Sequence, residues 1–201
     1  MLDRIALRLL KPAMDRSALV LRRLGVRADQ VTIAGFVIGM ASAAAIALHH
    51  PIAGLALMLA SRLCDGLDGA LARLTTPTDR GGFLDITLDF LFYASIPLAF
   101  AVADPAANAL PAAALLAAFM GTASSFLAFA ALAAQRGRKS MAYPSKGIYY
   151  LGGLTEATET LLCFVLMCLW PAYFAILAWV FAALCLLTIA TRIAAGWRAF
   201  S

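Results

Sequence analysis

Charged side chains are scarce in this chain. They make up 13% of its 201 residues, whereas hydrophobic residues make up 63%. Soluble domains contain about 25% charged and about 45–50% apolar residues. The chain also has several apolar runs of about 20 residues, the length that crosses a bilayer. This composition excludes an ordinary soluble domain and predicts a membrane protein.

Paired cysteine motifs and nucleic-acid platforms are also missing. The four cysteines lie in apolar runs and form no CxxC, so we expect free packing thiols rather than a disulfide framework or a zinc site: Cys64, Cys163, Cys168 and Cys185. The net charge is +5, but basic and aromatic residues do not interleave as they do on a surface that stacks bases. We expect no nucleic-acid partner.

The apolar runs predict six transmembrane helices, at 31–50, 52–73, 82–103, 109–134, 154–170 and 172–191. Residues 1–27 precede them and are too polar to be a span. On a helical wheel, Leu2, Ile5, Ala6, Leu9 and Ala13 share one face, and Arg4, Arg8 and Lys11 share the other. This pattern is typical of an amphipathic helix in the membrane interface, although a solvated basic arm is an alternative. Pro12 should interrupt or restart that helix.

The sequence thus predicts an all-α membrane protein, with an interfacial helix over 1–27 and a six-span domain over 28–201. The distribution of lysine and arginine tests the number of spans. Seven of these residues precede the first span, and others lie in the link between spans two and three, in the link between spans four and five and at the carboxyl end. The three remaining links contain no lysine or arginine. Because cytoplasmic loops carry the excess of cations, both termini should be cytoplasmic.

Four aspartates lie in or at the mouth of the second and third spans, where charge is costly: Asp65, Asp68, Asp85 and Asp89. An aspartate at a helix centre costs about 2.5–3.5 kcal/mol. The i, i+3 and i, i+4 spacings put each pair on one helix face. A short link makes the two helices antiparallel neighbours, so the pairs can face each other. One or two Mg²⁺ or Mn²⁺ ions would offset their repulsion.

Small residues and arginines surround these acids. Gly66, Gly69, Ala70 and Ala72 leave room for a close approach, and Arg73 and Arg80 could hold phosphate oxygens. Together they indicate metal-assisted phosphoryl chemistry. Two alternatives stay open on spacing alone. One is an ion-pair network in which Arg62, Arg73 and Arg80 partner the acids, and the other is a proton or cation pathway of a transporter.

Residues 65–73, followed by Gly81, Asp85 and Asp89, resemble the signature of the CDP-alcohol phosphatidyltransferase family. That signature reads DxxDGxxAR, a gap, then GxxxDxxxD, and every fixed position is filled. One departure is the gap between Arg73 and Gly81, which has seven residues here where the family pattern has eight.

The resemblance implies a six-span enzyme of the cytoplasmic (inner) membrane, with an interfacial helix and a homodimeric assembly. It would transfer the phosphatidyl group of CDP-diacylglycerol to a small alcohol and release CMP, in phospholipid biosynthesis. Asp65, Asp68 and Asp85 would bind two Mg²⁺ or Mn²⁺ ions, and Asp89 would be both ligand and general base. Contacts to the CDP-lipid are implied for Gly69, Ala72 and Arg73, and also for Thr32, Gln30 and Asp29, although the family's Pro and Asn in that last segment are replaced here.

The acceptor alcohol is the least defined part. The link between the fourth and fifth spans supplies Arg138, Lys146 and Tyr149, and Glu156 follows it. The cations suit an acceptor phosphate or are ordinary cytoplasmic charge, whereas Glu156 and Glu159 suit a cationic or polyol acceptor. A CDP-alcohol donor with diacylglycerol as acceptor is the alternative within the family.

Overall fold

A computed structural model describes residues 2–136 and 154–201, with side chains from Pro12 onward. These ranges contain seven α-helices and no strand, so the predicted all-α class is confirmed. The helices are α1 Leu2–Arg23, α2 Ala28–Ala47, α3 Pro51–Leu74, α4 Asp79–Ala103, α5 Pro105–Gln135, α6 Ala157–Leu169 and α7 Phe174–Phe200, with a short 3₁₀ turn at Pro171–Tyr173. Each of the six predicted apolar segments overlaps one of the helices α2 to α7.

Four of these helical segments are long and apolar enough to cross a membrane: Ala28–Ala47, Asp79–Ala103, Pro105–Gln135 and Pro171–Phe200. α3 has 24 residues but carries four charged side chains, at Arg62, Asp65, Asp68 and Arg73. α6 has 13 residues and is therefore about 20 Å long, shorter than a bilayer core of about 30 Å. The count of six spans stays a prediction.

α1 differs from expectation at Pro12. The helix runs through this proline without a break, so the predicted interruption is wrong. The turns that follow Pro12 are held by packing, because Met14, Ala18 and Leu21 belong to an apolar cluster that includes Ala70 and Leu71 of α3. Ala18 is fully buried. This packing offsets the backbone hydrogen bond that proline cannot donate.

α1 ends at a Schellman motif, in which Val26 N donates to Leu21 O and Gly25 N donates to Arg22 O, each over 3.1 Å. Gly25 has φ +76°, the left-handed conformation that favours glycine at this position. Of the predicted apolar face of the interfacial helix, only Ala13 has a described side chain, and it is exposed. The amphipathic interfacial role stays a prediction.

The main apolar core lies where α4, α5, α6 and α7 meet the ends of α2 and α3. Phe92, Phe164 and Phe174 are completely buried in it, and the rings of Phe100 and Phe174 stack with centroids 4.6 Å apart. All four cysteines are free, as predicted, and three of them lie in this core. The core fixes the position of α4, whose Phe92 lies one turn beyond Asp89.

α2 packs closely on α3 and α4 through two glycines. A Cβ on Gly35 would lie 2.8 Å from Cys64 Cβ, and a Cβ on Gly39 would lie 2.7 Å from the Phe92 ring. Hydroxyl groups bond across the same seam, since Ser61 Oγ donates to Gly35 O over 2.8 Å. Small residues that let membrane helices approach in this way are common at their interfaces. The GxxxG of the first apolar run is therefore a helix contact.

We expect Gly39→Ala to destabilise the protein by about 1–3 kcal/mol, the usual cost of overpacking a core. The added Cβ would lie 2.7 Å from the ring of Phe92, which is completely buried in the core, so either the ring or the helix must shift. Thermal unfolding in detergent measures the effect as a lower melting temperature. Gly82→Ala is the matched control, since its Cβ meets nothing within 4 Å and alanine favours a helix. Equal melting temperatures for the two variants would contradict the close contact at Gly39.

Candidate active site

Three carboxylates converge between α3 and α4. Asp65, Asp68 and Asp85 each offer an oxygen, and these oxygens lie within 4.8 Å of one another. Asp68 is 5% exposed, and its Oδ2 is buried with no hydrogen-bond partner. A buried, unpartnered carboxylate oxygen is costly unless a cation faces it. The cluster therefore fits a divalent ion with oxygen ligands. The three aspartates converge in this way even though the gap before Gly81 is one residue shorter than in the family pattern.

Asp89 lies in the wall of the same pocket but outside this group of three. Its Oδ1 accepts a hydrogen bond from Arg62 Nη1. The same Nη1 is 3.8 Å from Asp65 Oδ1. The ion-pair alternative is thus partly realised, since Arg62 partners two of the acids, whereas Arg80 bonds to Asp29 instead.

Arg62 is held on its other sides by α3 and α4. Its Cζ lies 4.0 Å from the centroid of the Phe92 ring, a cation–π contact. Its Nη2 donates to Ser61 Oγ over 3.3 Å. The sequence offered one signal for this residue, because Arg62 is the single cation inside the second apolar run before the motif. A specific place beside Asp89 was not predicted.

α2 supplies the remaining wall of the pocket through Thr32, Gly35 and Phe36. The other residues that line the pocket come from α3 and α4: Ser61, Arg62, Asp65, Asp68, Asp85, Leu88 and Asp89. The Thr32 hydroxyl donates to Ala28 O over 3.1 Å, and Thr32 lines the same pocket as Asp68. Thr32, predicted from the resemblance to contact the CDP-lipid, therefore lies beside the aspartates although it is more than 30 residues from them in sequence.

The other predicted CDP-lipid contacts lie outside that lining. Asp29 Oδ2 accepts from Arg80 Nη2 over 2.6 Å, which ties the start of α2 to the start of α4. Gln30 Oε1 accepts from Arg27 N over 2.9 Å and so caps α2. Arg73 is exposed, and its Nη1 would lie 3.4 Å from a Cβ on Gly69. Gly69, Ala72 and Arg73 share the last turns of α3.

Most of the predicted acceptor pocket falls outside the described residues: Arg138, Lys146 and Tyr149 belong to 137–153. Glu156 is described. It caps the amino end of α6 in a reciprocal capping box with Glu159, whose Oε2 accepts from Glu156 N over 3.2 Å. This local role satisfies backbone donors, and Glu156 is not among the residues that line the aspartate pocket.

Comparison with known proteins supplies independent findings. A family model described as CDP-alcohol phosphatidyltransferase matches residues 26–193. The inner membrane protein YnjF of Escherichia coli (strain K12) is 52% identical over 197 residues, which cover 98% of this chain and 96% of YnjF. An archaetidylinositol phosphate synthase of Methanothermobacter thermautotrophicus is 45% identical over 85 residues, which cover 42% of this chain and 40% of that protein.

Solved structures share the fold. The phosphatidylinositol phosphate synthase PgsA1 of Mycobacterium tuberculosis, in a crystal structure with CDP-DAG bound, superimposes with a TM-score of 0.71 at 21% identity, over 92% of this chain and 93% of PgsA1. The same enzyme in complex with manganese and citrate gives a TM-score of 0.73 at 23% identity, over 92% and 88% of the two chains. At this identity the likeness establishes the arrangement of helices.

Proposed function

Since the chain belongs to the CDP-alcohol phosphatidyltransferase family and is an enzyme of that class, we propose that it transfers the phosphatidyl group of CDP-diacylglycerol to the hydroxyl of a small alcohol and releases CMP. The carrying observation is the convergence of Asp65, Asp68 and Asp85 within 4.8 Å, with Asp68 Oδ2 buried and unpartnered. Such a cluster suits a divalent ion facing a pyrophosphate, and it lies inside the filled family signature.

Asp65, Asp68 and Asp85 would hold Mg²⁺ or Mn²⁺. A divalent ion bound there offsets negative charge on the donor's pyrophosphate and on the CMP leaving group. The PgsA1 structure in complex with manganese supports this choice of metal. That two ions bind, and that Asp89 is also a ligand, are parts of the proposal that rest on the resemblance.

Asp89 is the proposed general base. Its carboxylate lies in the pocket wall and accepts a proton from the acceptor hydroxyl as that oxygen attacks the phosphorus next to the diacylglycerol. The new bond joins phosphorus to the acceptor oxygen, the bond between phosphorus and the CMP oxygen breaks, and CMP leaves with the bonding electrons. Thr32 and Arg73 would bind the CDP moiety from α2 and from the end of α3.

A membrane setting completes the proposal. We assign α2 to α7 as six spans with the aspartate pocket and both termini on the cytoplasmic side, as the lysine and arginine distribution predicts. Two of the four charged side chains of α3 do not oppose this, because Asp68 is buried and Arg62 pairs with Asp89 of α4. The named location of YnjF supports the inner membrane. A homodimer is proposed from the family resemblance alone.

CMP release from CDP-diacylglycerol by the purified protein tests this function. The acceptor panel contains inositol phosphate, glycerol 3-phosphate, inositol, serine and choline. Inositol phosphate comes first because two of the similar proteins are an archaetidylinositol phosphate synthase and a phosphatidylinositol phosphate synthase. We expect release that requires one acceptor and stops when EDTA removes the metal. Release with a CDP-alcohol and diacylglycerol, but not with CDP-diacylglycerol, would overturn the proposed donor.

A further inference from the structure

Arg62 stands in the wall of the aspartate pocket with its guanidinium fixed on three sides. Nη1 donates to Asp89 Oδ1, Nη2 donates to Ser61 Oγ over 3.3 Å, and Cζ lies 4.0 Å from the centre of the Phe92 ring. Ser61 in turn donates its hydroxyl hydrogen to Gly35 O over 2.8 Å. The position of this one cation is therefore set jointly by α2, α3 and α4.

The four carboxylates of the signature consequently face two different environments. Asp65, Asp68 and Asp85 bring oxygens within 4.8 Å of one another. Asp89 instead accepts a hydrogen bond from the guanidinium of Arg62, whose Nη1 lies farther from Asp65, at 3.8 Å from Oδ1. A planar guanidinium holds a carboxylate in a defined orientation, and its positive charge repels a divalent cation that approaches the same oxygen atoms.

We propose that Arg62 is a positioning residue that anchors the Asp89 carboxylate and competes with divalent metal for it. The first ion is then held by the other three aspartates, while Asp89 keeps the orientation of a base. The role of Arg62 in orienting Asp89 as a base rests on the proposed function, in which Asp89 takes the proton of the acceptor hydroxyl. The competition for metal does not, because it follows from the contact between Arg62 and Asp89.

Binding of Mn²⁺ to the metal-free, full-length protein in detergent tests the competition without any turnover. The free Mn²⁺ signal in electron paramagnetic resonance gives the dissociation constant. Arg62→Gln removes the charge and leaves a shorter polar side chain, so we expect Mn²⁺ to bind about tenfold more tightly, or more, because a like charge beside the ligands is gone. CMP release by this variant should fall, because Asp89 has lost its anchor.

Two further variants separate charge from packing. Arg62→Lys keeps the positive charge but loses the planar fork and the stacking on Phe92, so its Mn²⁺ affinity should stay within about threefold of the natural protein while CMP release falls. Arg192→Gln is the matched control. Arg192 is a buried arginine that, like Arg62, lies beside an aromatic ring, with Cζ 5.6 Å from the centroid of Phe126, and we expect its loss to leave Mn²⁺ affinity unchanged.

The sign of the change in affinity decides the outcome. If Arg62 only holds α3 against α4, Arg62→Gln will disorder the aspartates and bind Mn²⁺ equally well or more weakly, and the inference is then wrong. If that variant fails to fold, as judged by thermal unfolding, Arg62→Lys decides. An Mn²⁺ affinity within about threefold of the natural protein, with reduced CMP release, supports the inference, and a larger change overturns it. If the natural protein releases CMP but Arg62→Gln does not bind Mn²⁺ more tightly, the inference about Arg62 is wrong and the proposed function stands. If Arg62→Gln binds Mn²⁺ more tightly but the natural protein releases no CMP, the proposed function is wrong and the competition for metal stands.

Discussion

Asp89→Asn is expected to lower CMP release by about 10²–10⁴-fold, the usual contribution of a positioned general base. The amide has nearly the same size as the carboxylate and can still accept the hydrogen bond from Arg62, but it cannot take a proton from the acceptor. The Mn²⁺ bound by Asp65, Asp68 and Asp85 should stay bound. The measurement is the rate of CMP release at saturating substrates, with Mn²⁺ binding recorded on the same preparation.

Asp79→Asn is the control for this variant. Asp79 lies in the first turn of the same helix, is exposed and does not line the pocket, yet its replacement removes the same charge. We expect a rate close to that of the natural protein. If Asp89→Asn keeps more than about a tenth of the rate, another group accepts the proton and the assigned role of Asp89 is wrong.

Asp68→Asn is expected to weaken Mn²⁺ binding by about 100-fold or more, since the loss of a supporting residue around a metal ligand already costs about 10–100-fold. Asp68 is buried, with Oδ2 unpartnered, so no neighbouring group replaces its charge. CMP release should be lost with the metal. Isothermal titration with Mn²⁺ gives the affinity directly.

Thermal unfolding tests the same variant in a second way, because Asp68→Asn should stabilise the metal-free protein while it weakens metal binding. Without metal, the variant should melt at a higher temperature than the natural protein, because the buried member of three mutually repelling carboxylates has become neutral. Added Mn²⁺ should raise the melting temperature of the natural protein, since a ligand that binds only the folded state stabilises it, but it should leave that of the variant unchanged. A shift of equal size in both proteins would contradict Asp68 as a ligand.

The sequence predicted the positions of the helices well, because apolar runs and prolines mark them. α3 and α5 begin at Pro51 and Pro105, where the missing amide hydrogen of proline costs nothing. The continuation of α1 through Pro12 was not predictable from that rule. It depends on contacts between Ala18 and α3, and such tertiary packing overrides local preference.

Within the site, spacing predicted which helix faces carry aspartates but not how the four divide. Spacing of i, i+4 puts Asp85 and Asp89 on one face, yet Asp85 joins the acids of α3 while Asp89 turns to Arg62. That division depends on the rotation of α4 about its own axis, which is set by distant contacts such as Phe92 against Gly39. Gln30 and Glu156 proved to be capping residues. The sequence did not reveal this, because neither capping box has the usual Ser or Thr in its first position.

α2 and α3 are fastened to each other at two levels, by Ser61 Oγ to Gly35 O at 2.8 Å and by Ser42 Oγ to Gly54 O at 2.7 Å. Both bonds lie inside the pair and need no residue from later in the chain. During synthesis, the two helices leave the ribosome before α4 does, and hydrocarbon offers no water to compete for such bonds. If α3 is a span, as proposed, the hairpin of α2 and α3 can assemble in the membrane first, and α4 then delivers Asp85 and Asp89 to a surface that already exists.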